Sequence, residues 1–212
     1  ITRTGHTILE RYGMSETNML TSNPYDGKRV GGSVGFPLPD VSVRVVDDKG
    51  AACATEDIGA IQVKGPNVFK GYWRMPEKTA QEFTSDGYFI TGDVGKFDQN
   101  GYLSIVGRSK DLIISGGYNV YPKEIETVLD EMDGVIESAV IGVPHPDFGE
   151  AVVAIVVTKP NATLSAEAMI ATLKQKIANF KVPKKIHFVS DLPRNAMGKV
   201  QKKVLRDQYS DA

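Results

Sequence analysis

"VGRSKDLIISGGYNVYPKEIE", residues 106–126, is where the chain changes its rhythm. Within it, residues 112–114 read as a short strand and Gly116-Gly117 as a turn. Pro122 is well placed as a first helical residue, where its missing N–H has no partner to lose. Ile125, Val128, Leu129 and Met132 then recur at i, i+3, i+4 and i+7, which is one face of a helix, and Gly134 ends it. The border between two differently built halves lies at residues 107–111.

Downstream, residues 138–143 and 151–158 read as strands, the second almost continuously apolar. A second amphipathic helix carries Met169, Ile170, Leu173, Ile177 and Phe180 and stops before Pro183. Residues 186–189 form a third strand and 201–209 a short charged helix. Upstream, residues 28–108 are short strands and turns. Val41, Val43 and Val45 alternate with Ser42 and Arg44, the period of a half-buried strand. Asp48-Lys49-Gly50, Gly65-Pro66 and Asp86-Gly87 punctuate the segment, and Asn100-Gly101 is its strongest hairpin signal. The expected fold class is therefore α+β. A mostly antiparallel β part, a small distorted barrel, precedes a compact α+β unit of about 100 residues, a normal domain size.

Composition narrows the function. With 25 basic and 26 acidic residues the formal net charge is −1, which gives no reason to expect a nucleic-acid partner or an anionic membrane. No apolar run approaches the length of a membrane span. Cys53 is the single cysteine, which fits a reducing compartment, so a cytoplasmic location is expected. The chain opens at Ile1, with a dense polar turn close behind, and reads as the back part of a longer protein.

That turn is "ERYGMSETNM", residues 10–19. A tyrosine beside a glycine can offer its ring to a flat ligand. Ser15 can donate to a phosphate oxygen. Glu16 can hold Mg2+, which takes one or two carboxylates together with substrate phosphates. The same residues also read as a plain helix start, with Ser15 as N-cap. In "GYFITGDVG", residues 87–95, Asp93 follows a strand and could accept both hydroxyls of a ribose, or be an ordinary turn aspartate. In "LPRNAMGKVQK", residues 192–202, Lys199 after a glycine would ordinarily be a solvated surface charge.

Taken together, in this order and spacing, these motifs closely resemble the adenylate-forming superfamily of acyl-CoA synthetases, luciferases and peptide-synthetase adenylation domains. The resemblance runs along essentially the whole chain. It implies that residues 1–109 are the C-terminal portion of a large adenylating domain. Residues 110–212 would be its mobile C-terminal lid. The family's phosphate loop lies upstream of the stretch matched, so these 212 residues alone are expected to be inactive.

The resemblance also implies roles. Tyr12 would stack on adenine, Ser15 contact the α-phosphate and Glu16 bind Mg2+. Asp93 would take the ribose diol, with Arg108 reaching the ribose just ahead of a hinge at Lys110. Gly116 and Gly117 would line a pantetheine tunnel for coenzyme A. Lys199 would be inserted by the lid for adenylation, and a lysine acyltransferase acting on it would remove its charge. ATP, Mg2+ and coenzyme A are the implied small molecules.

Arg11 departs from the glycine that often precedes the tyrosine in members taking apolar acids. A guanidinium there suits a second carboxylate on the substrate, held through its planar fork; pairing with an acid such as Glu10, or with one in the part of the protein upstream, is the plainer alternative. The runs "ERYGMSETNMLTSNPYDGKRVG" and "VKGPNVFKGYWRMPEKT" are similar to malonyl-CoA synthetases in particular. Malonate, with methylmalonate tolerated, is therefore the expected acid. A medium- or long-chain fatty acid, or an aromatic acid, is the alternative, and a non-catalytic nucleotide-binding or interaction module the alternative of another class. His145 in "VPHPDFGE" reads as part of a structured loop and Trp73 as packing.

Overall fold

In the computed structural model, residues 5–210 are described. The chain divides into two compact units between Ser109 and Lys110.

The first unit holds two open antiparallel sheets. Strands β1 (Arg11–Met14), β2 (Asn18–Ser22) and β3 (Phe36–Pro37) form the smaller sheet in that order. Strands β4 (Ser42–Val46), β5 (Gly59–Lys64), β6 (Phe89–Phe97) and β7 (Leu103–Arg108) form the larger one, again in chain order. The expected small barrel does not close among the described residues. Among the described residues the only backbone pairing between the two sheets is an isolated bridge from Gly35 to Leu103, so each keeps a free edge. Tyr12, Leu20, Val45, Ile61, Val63, Phe89 and Leu103 form their common core. A short helix, α1 (Pro76–Gln81), interrupts what reads in the sequence as strands and turns alone. Pro76 at its start is the signal for it, since the fixed φ of proline suits a first helical position.

The second unit is a five-stranded sheet with helices on both faces. It comprises β8 (Ile113–Ser115), β9 (Tyr118–Val120), α2 (Pro122–Asp130), β10 (Val135–His145), β11 (Gly149–Thr158), α3 (Ala166–Lys176), β12 (Lys185–Val189) and α4 (Lys202–Tyr209). The β8–β9 turn is Gly116-Gly117, both at positive φ, as a two-residue hairpin of type I′ demands. Strand β11 is the centre, paired antiparallel with β10 and β8 and parallel with β12. Its unbroken apolar run follows from burial on both sides. Val152, Ala154 and Val156 meet Ile125 and Leu129 of α2 and Met169 and Leu173 of α3. Ala151, Val153, Ile155 and Val157 face the opposite way, toward Leu192 and Leu205. Each buried leucine on that second face stabilises the unit by roughly 2 kcal/mol. The helix α4 is further fixed by Lys202, whose ammonium meets the buried Glu126 carboxylate at 2.6 Å.

The second amphipathic helix ends earlier than its apolar period suggests. Ile177 is extended (φ −131°), and a 3-10 turn over Asn179–Lys181 follows. Pro183 disfavours helical geometry at the residue before it, so the period cannot run on to the proline. The break turns Phe180 onto Tyr118, ring centroids 4.6 Å apart.

Candidate functional site

The dense turn of residues 10–19 is a β-hairpin, not a helix start. Strand β1 alternates as a strand must: Tyr12 points into the core while Arg11 and Gly13 face outward. The hairpin bulges between Tyr12 and Gly13. A Cβ at Gly13 would lie 2.3 Å from the Asn18 carbonyl oxygen, so the close return of the chain requires glycine. Ser15 is exposed at the turn and Glu16 half-buried, while the Thr17 N–H donates to the Met14 carbonyl at 3.2 Å.

A second segment braces this turn. Asn67 Nδ2 donates to the carbonyls of Thr17 at 2.7 Å and Met19 at 3.1 Å. The Phe69 N–H donates to the Glu16 carbonyl at 2.7 Å. The Tyr72 hydroxyl donates to Glu16 Oε1 at 3.1 Å. Burial, then the Glu16 carboxylate, pushes the Tyr72 phenol up to about 12. The neutral phenol therefore favours the folded state fully below pH 10, and this contribution is lost as pH rises through about 12. Absorbance titration of the phenols is expected to show Tyr72 ionising earlier in Glu16→Gln; an unchanged titration would mean that Glu16 does not hold it.

Tyr12, Asp93 and Arg108 come together. The Tyr12 hydroxyl donates to Asp93 Oδ2, and Arg108 Nε lies 2.8 Å from Asp93 Oδ1. Burial first, and Asp93 second, raise the Tyr12 phenol well above its ordinary range. Arg108 also donates through Nη1 to the Thr91 carbonyl at 3.1 Å. Asp93 lies inside β6, not after it. The β5–β6 register shifts between Ala60 and Gln62, so residues 91–93 bulge opposite Ile61. Such bulges re-aim side chains. Here Thr91 anchors the bulge by donating to the Ile61 carbonyl at 2.9 Å and accepting the Asp93 N–H at 3.1 Å.

Arg11, next to Tyr12, is exposed and makes no hydrogen bond or ion pair among the described residues. The pairing with Glu10 does not form: Glu10 Oε2 accepts the Gly32 N–H at 3.1 Å instead.

In the second unit, Lys110 is exposed in the 3-10 turn Ser109–Asp111, and Asp111 is held at 3.3 Å by Arg206 of α4. Gly116 and Gly117 are exposed at their hairpin, where the Gly116 N–H donates to the Phe148 carbonyl at 2.8 Å. Lys199 is exposed on a separate loop that enters α4. His145 caps its own loop, Nδ1 accepting the Asp147 N–H at 3.2 Å, and no cluster of three metal-ligating side chains occurs among the described residues. Trp73 is 84% exposed, so it does not pack in a core; its ring meets the Arg74 guanidinium at 5.6 Å. Tyr72 and Asn67 are the partners that sequence reading misses. Only the tyrosine beside Trp73 and the asparagine after Gly65-Pro66 hint at them.

Comparison with known proteins supports the family resemblance. Residues 1–73 match the family described as AMP-binding enzyme, and residues 124–199 match the AMP-binding enzyme C-terminal domain. The chain belongs to the adenylate-forming, AMP-binding enzyme family. The malonate–CoA ligase of Arabidopsis thaliana is 44% identical over 96% of the chain, which spans 35% of that protein. The long-chain-fatty-acid–CoA ligase of Yersinia pestis is 42% identical over 98% of the chain, and 37% of that ligase is covered. ATP-bound MatB from Rhodopseudomonas palustris is 62% identical over 99% of the chain and 42% of its own, with a TM-score of 0.95. The chain thus spans well under half the length of these relatives. No described helix is long and apolar enough to cross a membrane.

Proposed function

We propose that this chain carries the nucleotide-pocket hairpin and the lid of an ATP-dependent ligase that makes malonyl-CoA through malonyl-AMP. In the first half-reaction one malonate carboxylate oxygen attacks the α-phosphorus of ATP. A new P–O bond forms, the bond to the β-phosphate bridge breaks, and pyrophosphate leaves. In the second, the thiol sulfur of coenzyme A attacks the acyl carbon. The C–O bond to the phosphate breaks, AMP leaves, and the thiol proton passes to solvent.

The residues suit these roles. Asp93 is held by Tyr12 and Arg108, and a carboxylate, with about four lone-pair positions, is the kind of group that suits a ribose diol. Tyr12 is buried and holds Asp93 through its hydroxyl, so it would position the ribose acid rather than offer an open ring face to adenine, and Arg108 would give a second contact to the ribose. The exposed Ser15 hydroxyl can donate to the α-phosphate. Glu16 would suit Mg2+ as its one protein carboxylate, since Oε1 accepts from Tyr72 and Oε2 has no hydrogen bond among the described residues. When bound, the ion would neutralise phosphate charge. Lys199 supplies a mobile point charge for the developing phosphoryl oxygens. Gly116 and Gly117, without side chains, leave room for pantetheine.

A single observation carries the choice of acid: the exposed guanidinium of Arg11 beside Tyr12, which has no partner among the described residues. A fatty chain gives that cation nothing, whereas the distal carboxylate of malonate matches its fork. The name of the Arabidopsis relative supports the same reading; the Yersinia relative keeps a fatty acid as the alternative. Product analysis by mass spectrometry tests the reaction in the intact enzyme. Malonate, ATP and coenzyme A should give malonyl-CoA and AMP; formation of ADP, or of neither product, would contradict it.

Lys110 is the proposed pivot, because the two half-reactions need Lys199 and the pantetheine turn in turn. Lys110→Pro fixes one φ and restricts Ser109 before it. One half-reaction should fall by about tenfold or more while the other persists, a split of the size that misplaced groups produce. Wild-type rates in both would rule out the pivot.

A further inference from the structure

Lys199 does not hang on a free tail. Its loop leaves the second core at Leu192 and returns to it at Leu205, both buried. Arg194 and Val200 pair across an isolated antiparallel bridge. The Gln201 N–H donates to the Pro193 carbonyl at 2.8 Å, and the Asn195 N–H to the Lys199 carbonyl at 2.9 Å. The Arg194 guanidinium donates both to the Gly198 carbonyl and to Glu137 on β10, which ties the loop to the sheet. The tip, residues 195–199, is exposed throughout, so burial does not order it. Besides the Arg194 contact and the backbone bonds, among them the Gly198 N–H to the Asn195 carbonyl at 2.9 Å, a second side chain orders it. Asn195 Oδ1 accepts two backbone N–H groups, from Met197 at 3.0 Å and from Lys199 itself at 2.9 Å. Such asparagine turns give the backbone a local partner in place of water.

We propose that Asn195 is a positioning residue for Lys199. By holding the lysine's own N–H, it sets the direction in which the side chain leaves the loop. The inference rests on the proposed role of Lys199 in adenylation. The physical reason is conformational entropy. The Lys199 ammonium makes no hydrogen bond or ion pair among the described residues. Immobilising its long, flexible stem costs rotamer entropy. The protein can reduce the search only by fixing the root of the side chain, and the Asn195 bond fixes that root. A misplacement of about 1 Å can cost on the order of 100-fold in rate. A residue with no reacting contact can therefore govern this step.

The test uses the intact enzyme carrying Asn195→Ala, Asn195→Ser or Lys199→Ala. Single-turnover acyl-adenylate formation is measured beside thioester formation from supplied acyl-adenylate. Asn195→Ala should slow adenylation about tenfold or more and leave thioester formation within about twofold, because only the first step uses the lysine. Asn195→Ser keeps an oxygen that accepts the same N–H and adds no charge, so it should recover at least part of the loss. Asn195 is exposed, so the unit should stay folded, and unchanged melting of the serine variant guards the comparison. Equal loss in both half-reactions, no loss in adenylation, or a serine variant as slow as alanine would each overturn the proposal. If Lys199→Ala itself spares adenylation, the role of the lysine fails; if it abolishes adenylation while Asn195→Ala does not, only the positioning role fails.

Discussion

Lys199→Ala in the intact enzyme is expected to lower acyl-adenylate formation by about 100-fold or more, the usual cost of removing one charge-stabilising donor. Thioester formation from supplied acyl-adenylate should be largely spared. The asymmetry follows from where charge builds. In the first half-reaction the phosphoryl oxygens gain negative charge and a nearby ammonium lowers the barrier. In the second, that phosphate is already part of the leaving AMP and the new bond forms at carbon. A lysine serving only to stabilise the lid would slow both steps alike. Lys199 is exposed on its loop, so its loss removes a charge without opening a core. Rapid-quench assays of the two half-reactions make the comparison, and equal loss in both contradicts the role.

Arg11→Gly should lower kcat/KM for malonate by about 100-fold, because leaving one member of a desolvated charge pair alone typically costs 2–5 kcal/mol. Activity with octanoate should hold or rise, since the cation no longer faces the apolar chain. The substitution is expected to be tolerated by the fold: Arg11 is exposed at its strand and bonds nothing among the described residues. Steady-state assays with both acids check it. An equal fall for malonate and octanoate would assign Arg11 to general structure and not to choice of acid.

Much of the second unit is legible in the sequence because its signals are local. Pro122 opens α2, and Ile125 and Leu129 at helical spacing are both fully buried. The run 151–157 is apolar throughout because β11 is covered on two faces, a pattern that needs no partner to recognise. The first unit is harder. A barrel and two open sheets share the same alternation along each strand. Closure is decided by which edges pair, and the chain pattern does not encode that choice. The bulge that aims Asp93 is likewise invisible, since it is a mismatch between β5 and β6 and not a property of "TGDVG".

The candidate site divides in the same way. The motifs around Tyr12, Glu16 and Asp93 carry the family resemblance, but the supports of these residues are distant in sequence. Tyr72 reaches Glu16 across 56 residues, and Tyr12 reaches Asp93 across 81. Arg11 differs: its lack of a partner among the described residues could be seen only once Glu10 was found bonded to the Gly32 N–H. Asn195 lies inside a quoted motif, yet its role needs a turn geometry that five exposed residues do not betray.

The central claim is that the intact enzyme activates a short dicarboxylate at the expense of ATP. Isotope exchange between pyrophosphate and ATP, measured without coenzyme A, isolates that step. Malonate should drive the exchange well above octanoate, and the malonate signal should collapse in Lys199→Ala. Exchange supported by octanoate and not by malonate, or by neither acid, would contradict the account.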